Sequence, residues 1–239
     1  MAKAAKPPDW ETLLAQAALL QAKIPSAVLV GGTAAALHAH HRISFDHDHV
    51  LKDLGRHYAK ANAALESIAG WRTTRRVRGK LLLGNIAGIE AGLRNQRRTA
   101  PLETTSIELP NRGKLKLPTV AEMLRIKAFL VAERNATRDY LDVAALSHHL
   151  GLRKSADALE RMQDLYSEFA GEGGDILVTI VMKLSHPDPY DLTEVDLAEY
   201  KGIVPPWNSW HAVEKQCRAL AVALLEHSAN HKITTGSAR

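Results

Sequence analysis

Two aspartates one residue apart are the side chains of this sequence best suited to chemistry. They lie within residues 42–50, a segment that we predict to form a strand over residues 43–50. Side chains alternate between the two faces of a strand, so Asp46 and Asp48 share one face with Ser44. Carboxylates are the ligands that Mg²⁺ and Mn²⁺ prefer, with positions left for water and substrate phosphates. We therefore predict that Asp46 and Asp48 hold a divalent cation.

A double glycine precedes this segment and suits a phosphate group. Gly31 and Gly32 follow an apolar run, residues 26–30, and are followed by the helix-prone residues 33–38. Glycines let the backbone come close to a ligand, and free amides at a helix start bind anions. Together with the hydroxyl of Thr33, this turn is expected to bind the triphosphate of a nucleoside triphosphate beside the metal-binding carboxylates.

Both features have simpler interpretations. A D-x-D pair is common in surface strands, and a Gly-Gly between a strand and a helix is often only a turn. The histidines near the aspartates also suggest a mixed His/Asp zinc or iron site. The strand interpretation argues against that site, because it places His47 and His49 on the face opposite the aspartates. Packing or exposed histidines are the favoured interpretation.

The elements that must position these residues change in type near Pro118. Before it, we predict a helix starting at Asp9, then strands mixed with helices; after it, the sequence is almost wholly helical. The predicted organisation is an α/β (α+β) domain over residues 1–118, a helical bundle over residues 119–229 and a disordered tail over residues 230–239.

Composition points to a soluble chain of the cytoplasm. Apolar residues make up 46% of the 239 residues and charged residues 24%, and the net charge is +5. We find no apolar run of about 18 residues, the length that a membrane span needs, and no signal peptide. The single cysteine, Cys217, rules out an intrachain disulfide and is predicted to pack as a small apolar residue.

Two blocks of the sequence resemble a known family. The first is Gly31-Gly32-Thr33-Ala34-x-x-Leu37 followed by Arg42-x-Ser44-x-Asp46-x-Asp48. The second is Glu122-x-x-x-x-Lys127-Ala128-Phe129 followed by Arg134-x-x-x-Arg138-Asp139-Tyr140-x-Asp142. They resemble motifs of the polymerase-β-like nucleotidyltransferases, specifically the AbiEii/AbiGii-type toxins, with which the mycobacterial MenT toxins are grouped. The sequence departs from the usual pattern at His47 and Phe129, where a small apolar residue and a tryptophan are commoner.

The resemblance implies a fold, an activity and partners. It implies a nucleotidyltransferase core with a mixed sheet, followed by a helical bundle. It also implies transfer of nucleotides from a nucleoside triphosphate to an RNA acceptor such as the 3′ end of tRNA, and a cognate antitoxin protein. A third carboxylate, usual on a later strand, is assigned to Glu90. The residues expected to bind the nucleotide are Gly31, Gly32, Thr33, Arg42, Ser44 and Lys127, and those expected to be catalytic are Asp46, Asp48, Lys127 and Asp142.

The second block has alternative interpretations from its chemistry. By the resemblance, Lys127 contacts a nucleotide phosphate and Asp142 orients it or nearby groups. Lys127 also falls in an apolar helical stripe, from which its ammonium could extend to solvent. Asp142 lies four residues after Arg138, a spacing that also predicts a plain ion pair on a helix surface.

A cluster of arginines is the last feature with a functional interpretation. In a regular strand, Arg72, Thr74, Arg76 and Arg78 share one face, which would suit the phosphates of a nucleic acid. We therefore predict that Arg72, Arg76 and Arg78 bind RNA, with a solvated strand face as the alternative. Two other functions stay open: nucleotidyl or phosphoryl transfer to a protein or small molecule, and a non-catalytic RNA-binding or regulatory role.

Overall fold

A mixed sheet and a helical region belong to two separate units of this chain. The structure is a computed structural model that describes residues 9–110, 113–169 and 175–236. The N-terminal unit comprises residues 1–34, 43–99 and 103–118, and the C-terminal unit comprises residues 35–42, 100–102 and 119–239. A junction therefore falls at Pro118, where the sequence pattern changes, but two short earlier segments belong to the C-terminal unit.

The N-terminal unit is built on a five-stranded mixed sheet. Its strands lie in the order β1-β2-β5-β4-β3, with β2 and β5 parallel and the other neighbours antiparallel. A separate antiparallel pair, β6-β7, completes the unit. The elements up to Pro118 are α1 (Trp10–Lys23), β1 (Val28–Val30), α2 (Gly31–Ala39), β2 (Asp46–Leu51), α3 (Leu54–Glu66), β3 (Trp71–Val77), β4 (Leu81–Ile86), β5 (Ile89–Asn95), β6 (Thr104–Glu108) and β7 (Lys114–Pro118).

Helices α1 and α3 supply the apolar side chains that pack against one face of this sheet. Asp9 caps α1, as predicted, and its carboxylate accepts a hydrogen bond from the Thr12 amide at 2.8 Å. The Gln21 side chain joins α1 to β7 by two hydrogen bonds with the backbone of Lys116. We call this covered side the helix face; its buried apolar residues are Leu20, Ile24, Ala27, Leu51, Leu54, Ala61, Leu65, Ile68, Leu82, Ile86, Ala91 and Leu93.

Two histidines of β2 belong to the helix face. His47 and His49 are fully buried, and their register partners on β5 are the core residues Ala91 and Leu93. Their rings meet edge to face at 5.4 Å, and no hydrogen-bond partner is found for any of their ring nitrogens among the described residues. Burial lowers the pKa of His47 to about 4 and that of His49 well below its ordinary value. Both side chains are therefore neutral packing residues, which removes them from a mixed His/Asp metal site.

The C-terminal unit is helical, as predicted. Residues 155–169 form short helical pieces, residues 194–200 contain a 3₁₀ turn, and α9 extends to Gly236, into the segment predicted as a disordered tail. Residues 237–239 of that tail lie outside the described residues. The helices are α4 (Val120–Arg134), α5 (Thr137–Leu150), α6 (Leu152–Glu160), α7 (Met162–Leu165), α8 (Ile176–Ser185) and α9 (Trp210–Gly236).

Cys217 lies on α9 and is fully buried. Burial raises the pKa of its thiol, so the thiolate is disfavoured. The prediction that this cysteine packs as a small apolar residue is confirmed.

The buried histidines predict how stability depends on pH. The unfolded chain takes up protons on both imidazoles near pH 6.5, whereas folded His47 does so only near pH 4. The free energy of unfolding therefore falls as pH drops between these values, by up to about 1.4 kcal/mol per pH unit for each histidine. In His49→Leu this loss should be smaller, as measured by urea unfolding at about pH 7.5 and about pH 5. An equal loss in the variant and the parent would contradict this account.

Candidate functional site

Asp46 and Asp48 open strand β2 on the side of the sheet opposite the helix face, which we call the carboxylate face. Asp46 is exposed and Asp48 is partly exposed. The Ser44 hydroxyl, which precedes the strand and is buried, donates a hydrogen bond to Asp46 Oδ1 at 2.7 Å. Ser44 therefore holds one carboxylate oxygen of Asp46, a positioning contact where a nucleotide contact was expected.

Asp48 occupies space that glycines leave free. A β-carbon on Gly92, its register partner on β5, would lie 2.2 Å from Asp48 Oδ1. A β-carbon on Gly31, where φ is +76°, would lie 3.4 Å from the Asp48 Cβ atom. Arg94 of β5 approaches the same carboxylate, with its Nε atom 3.3 Å from Asp48 Oδ1. Gly92 and Arg94 thus fix where the charge of Asp48 lies, whereas position 31 requires glycine because of its positive φ.

Glu90 occupies a position suited to a third carboxylate. Its Cα atom pairs in register with that of Asp46 across the parallel β2-β5 pair, and its side chain is exposed. Within the described part of the chain, no three His, Cys, Asp or Glu side chains are grouped closely enough to hold a metal ion. Asp46 and Asp48 fit a Mg²⁺ or Mn²⁺ ion that takes its other ligands from water and phosphates. The assignment of Glu90 as a ligand stays a prediction.

Helix α2 begins at Gly31, immediately after β1, as the strand-turn-helix prediction requires. Thr33 is buried, and its hydroxyl donates to the backbone carbonyl of Asp46. This hydroxyl was predicted to bind a triphosphate. In the structure its proton is donated to the backbone of β2, a hydrogen bond that joins α2 to β2. The amides at the start of α2 stay candidates for a phosphate, because the first turn of a helix leaves N–H groups without intrahelical partners.

The C-terminal unit contains a buried cluster of charges around Asp142. His41 Nε2 lies 2.7 Å from Asp142 Oδ1, and Arg42 donates to both carboxylate oxygens at 2.9 and 3.1 Å. Lys127 Nζ lies 2.6 Å from Asp142 Oδ2 and 3.8 Å from Asp139 Oδ1. The expected contact of Lys127 with Asp142 is therefore present, whereas their catalytic roles stay predictions.

Burial in this cluster excludes two simpler interpretations: that the Lys127 ammonium extends to solvent, and that Arg138 and Asp142 form an ion pair on a helix surface. The Lys127 side chain is only 3% exposed, so its ammonium does not reach solvent. Arg138 is exposed while Asp142 is fully buried, and the ion-pair partners of Asp142 are Arg42, Lys127 and His41. A surface pair between Arg138 and Asp142 is thus wrong.

The pKa values in the cluster follow from burial and from paired charges. Burial by itself would raise the pKa of Asp142, but Arg42, Lys127 and the hydrogen bond from His41 hold it well below its ordinary value. Burial lowers the pKa of His41 despite the neighbouring carboxylate. Asp142 is therefore ionised, and the guanidinium of Arg42, expected to bind a nucleotide, is 9% exposed and paired with it.

The arginines of β3 do not share one face. A bulge between Thr73 and Arg75 shifts the pairing with β4, so Arg72 faces Asn85 while Arg76 faces Leu82. Asn85 lies on the carboxylate face and Leu82 in the core of the helix face. Arg76 forms an ion pair with Glu66 of α3. Arg78 lies in the turn after β3 and lines a groove with Arg56 and Tyr58. The predicted common face for Arg72, Arg76 and Arg78 is wrong.

Solved structures identify the fold. The nucleotidyltransferase toxin MenT4 from Mycobacterium tuberculosis superimposes with a TM-score of 0.56 and 18% identity, over 89% of this chain and 82% of MenT4. The antibiotic-resistance factor ANT(2″)-Ia superimposes with a TM-score of 0.50 and 14% identity, over 66% of this chain and 93% of that factor. The fold is that of the nucleotidyltransferases. At these identities the likeness concerns the fold alone.

Comparisons of sequence gave a different set of relatives, and no family model matches. The heme uptake protein MmpL11 of M. tuberculosis is 33% identical over 132 residues, which are 55% of this chain and 13% of MmpL11. The mycolic acid-containing lipids exporter MmpL11 of Mycolicibacterium smegmatis is 30% identical over 131 residues, again 13% of its length. This chain thus spans a small part of these relatives. Among its described helices, none has the length and apolar character to cross a membrane.

Four residues of these sites had no contact assigned to them by the sequence predictions. Gly92 could have been found, since a glycine inside a strand marks a close approach of another group. Asp139 belongs to the second sequence block but had no assigned contact. Arg94 and His41 carried no signal, because their partners are 46 and 101 positions away.

The close approach at Gly92 gives a direct test of the cation site. Gly92→Ala should move the Asp48 carboxylate and weaken Mn²⁺ binding, measured by electron paramagnetic resonance titration, without unfolding the chain. Gly55→Ala on α3 is the control, because its added β-carbon meets nothing closer than 3.9 Å. Because Gly55 lies in the first turn of α3, that control should be at least as stable as the parent. Equal Mn²⁺ affinity in both variants would refute the packing argument.

The Asp142 cluster predicts unequal costs for its members. Asp142→Asn leaves Arg42 and Lys127 buried without a carboxylate between them and should cost about 3–5 kcal/mol. Lys127→Met should cost less, because Asp142 keeps both hydrogen bonds from Arg42. Denaturant unfolding of the two variants measures the difference. The interpretation fails if Lys127→Met is the more damaging substitution.

Proposed function

We propose that this protein is a metal-dependent nucleotidyltransferase. Asp46 and Asp48 hold Mg²⁺ or Mn²⁺, and a nucleoside triphosphate is the donor. The observation that carries the proposal is the carboxylate pair on β2, with Asp48 fitted between Gly31 and Gly92 on a nucleotidyltransferase fold. Although Asp46 is exposed and Asp48 partly exposed, Ser44 orients Asp46, and Gly92 and Arg94 orient Asp48; this orientation argues against a non-catalytic role.

The chain's own residues supply positioning. Ser44 fixes one oxygen of Asp46, and Gly92 and Arg94 fix Asp48. The positive φ of Gly31 begins α2 next to Asp48, so the amides of the first turn are available to the phosphates. A bound divalent cation supplies charge neutralisation at the α-phosphate and the leaving pyrophosphate. The acceptor hydroxyl bonds to the α-phosphorus as the bond to pyrophosphate breaks, and its proton passes to solvent.

The acceptor is proposed to be RNA, with the 3′ end of tRNA as the candidate. Support comes from the exposed arginines of β3 and from the fold shared with MenT4, a nucleotidyltransferase toxin. In this proposal the protein is the AbiEii-type toxin of a toxin–antitoxin pair, acts in the cytoplasm and has a cognate antitoxin as its protein partner. The roles of Lys127 as a phosphate contact and of Asp142 as its orienting partner stay predictions, because in this structure Lys127 is buried and its ammonium is paired with Asp142.

A small-molecule acceptor is the second candidate. ANT(2″)-Ia, which shares the fold, has a crystal structure in complex with adenylyl-2″-tobramycin. RNA is favoured because a small acceptor has no use for arginines displayed away from the carboxylate pair.

The test uses purified protein, each α-labelled nucleoside triphosphate in turn, bulk tRNA and Mg²⁺. Label should move onto tRNA-sized RNA, and chelation should stop the transfer. Asp46→Asn and Asp48→Asn should each lower the rate at least about 100-fold, because a neutral amide cannot replace a cation-binding carboxylate. Asp53→Asn is the matched control and should keep parental activity, since Asp53 has a left-handed backbone that asparagine tolerates and makes no capping bond.

Different outcomes separate the parts of the proposal. Label on protein or on a small molecule from a lysate would replace the RNA acceptor and retain the transfer chemistry. Transfer that survives chelation, or that survives in Asp46→Asn, would refute the cation-binding role of the carboxylate pair.

A further inference from the structure

The bulge in β3 divides its arginines between the two sides of the sheet. Residues opposite one another across paired strands share a face, so register partners can be followed from strand to strand. Two such rows of register partners run from β3 across β4 and β5 to an aspartate of β2. The two rows are Arg72–Asn85–Glu90–Asp46 and Arg75–Leu83–Gly92–Asp48.

Arg72 and Arg75 therefore lie on the carboxylate face, at the edge of the sheet. Both side chains are exposed, and no carboxylate of the described chain forms an ion pair with either. The close contact between Leu83 and Gly92 supports this assignment, since a β-carbon on Gly92 would lie 3.0 Å from Leu83 Cδ2. These two positive charges are thus open to a ligand on the side where the aspartates lie.

Arg76, the next residue, has the opposite environment. It pairs in register with Leu82, a core residue of the helix face, and forms an ion pair with Glu66. Thr73 on the same side also donates to Glu66, at 2.8 Å. The charge of Arg76 is therefore already used within the fold.

Distance separates the open arginines from the carboxylates. Strands β4 and β5 lie between β3 and β2, so three spacings of about 4.8 Å place the Arg75 backbone about 14 Å from that of Asp48. Successive phosphates along one strand of a duplex are about 3.4 Å apart along the axis. An RNA chain whose end lies at Asp48 would thus bring phosphates a few nucleotides from that end to β3.

The charges on this face also favour a long anion over a short one. The carboxylate end carries Asp46, Asp48 and Glu90, offset by Arg94, whereas the charged side chains that β3 places on this face, Arg72 and Arg75, are both positive. Between them, Leu81 and Leu83 are partly exposed. A polyanion is attracted at the edge and repelled near the carboxylates until a cation is present.

We propose that Arg72 and Arg75 form a phosphate-binding edge that holds the backbone of the RNA acceptor. This inference rests on the proposed function, and it places the acceptor across the carboxylate face from β3. It replaces Arg76 as an RNA contact and adds Arg75.

The test compares neighbouring arginines of one strand. Binding of labelled bulk tRNA to the full chain is measured at several salt concentrations, for the parent, the double variant R72Q/R75Q and the control R76Q. The double variant should bind about tenfold more weakly, and the slope of log affinity against log salt should fall by about 0.7–0.9 for each lost phosphate contact. R76Q should keep the parental slope, because its charge is paired with Glu66 on the other face.

A second readout separates this proposal from the proposed function. With nucleotide transfer to tRNA as the assay, R72Q/R75Q should raise the KM for tRNA and leave the KM for the nucleoside triphosphate unchanged. A parental salt slope in R72Q/R75Q, an equal loss in R76Q, or a change confined to the nucleotide KM would overturn the phosphate-binding edge. Absence of any transfer by the parent would refute the proposed function, while the binding measurement would still decide the role of the edge.

Discussion

The close approach of β2 and β5 at Asp48 is the constraint on which the site depends. The Asp48 carboxylate lies over the backbone of the neighbouring strand, in space that any other residue at position 92 would occupy with its β-carbon. Gly31 provides room on another side, at the point where β1 turns into α2. The position of the Asp48 carboxylate therefore depends on both the start of α2 and the strand β5. A substitution at Gly92 therefore displaces the charge of Asp48 without changing that residue.

The C-terminal unit meets a different demand, that of burying several charges together. Asp142 is surrounded by Arg42, Lys127 and His41, and Lys127 also faces Asp139, which in turn pairs with Arg134. Each member is paired with another, and removing Asp142 would leave Arg42 and Lys127 as buried cations without that carboxylate. Lys127 could bind a phosphate by its chemistry, but here its ammonium is held by these carboxylates. Its position is set by the carboxylates of α5.

One inserted residue in β3 changes what a run of arginines can do. In a regular strand, alternate arginines would all project to one side. The bulge moves Arg75 to the carboxylate face and sends Arg76 to Glu66, so neighbouring residues of like charge serve different purposes. The fold thereby combines an acidic centre and a basic edge on one surface, and it stabilises the other surface with a local ion pair.

The sequence by itself determined the elements and the identity of the carboxylate pair. Alternation in β2 sets Asp46 and Asp48 against His47 and His49, and the local order of strand, glycines and helix is readable because each signal spans only a few residues. The mixed fold and its change to helices near Pro118 were predictable for the same reason. Only the tertiary structure decided the partners: Gly92 and Arg94 for Asp48, His41 and Arg42 for Asp142, and Asp46 for the Thr33 hydroxyl. Those contacts join residues far apart in the chain, and the sides on which Arg75 and Arg76 lie depend on a bulge that shifts the register by one residue. Local periodicity carries no information about either.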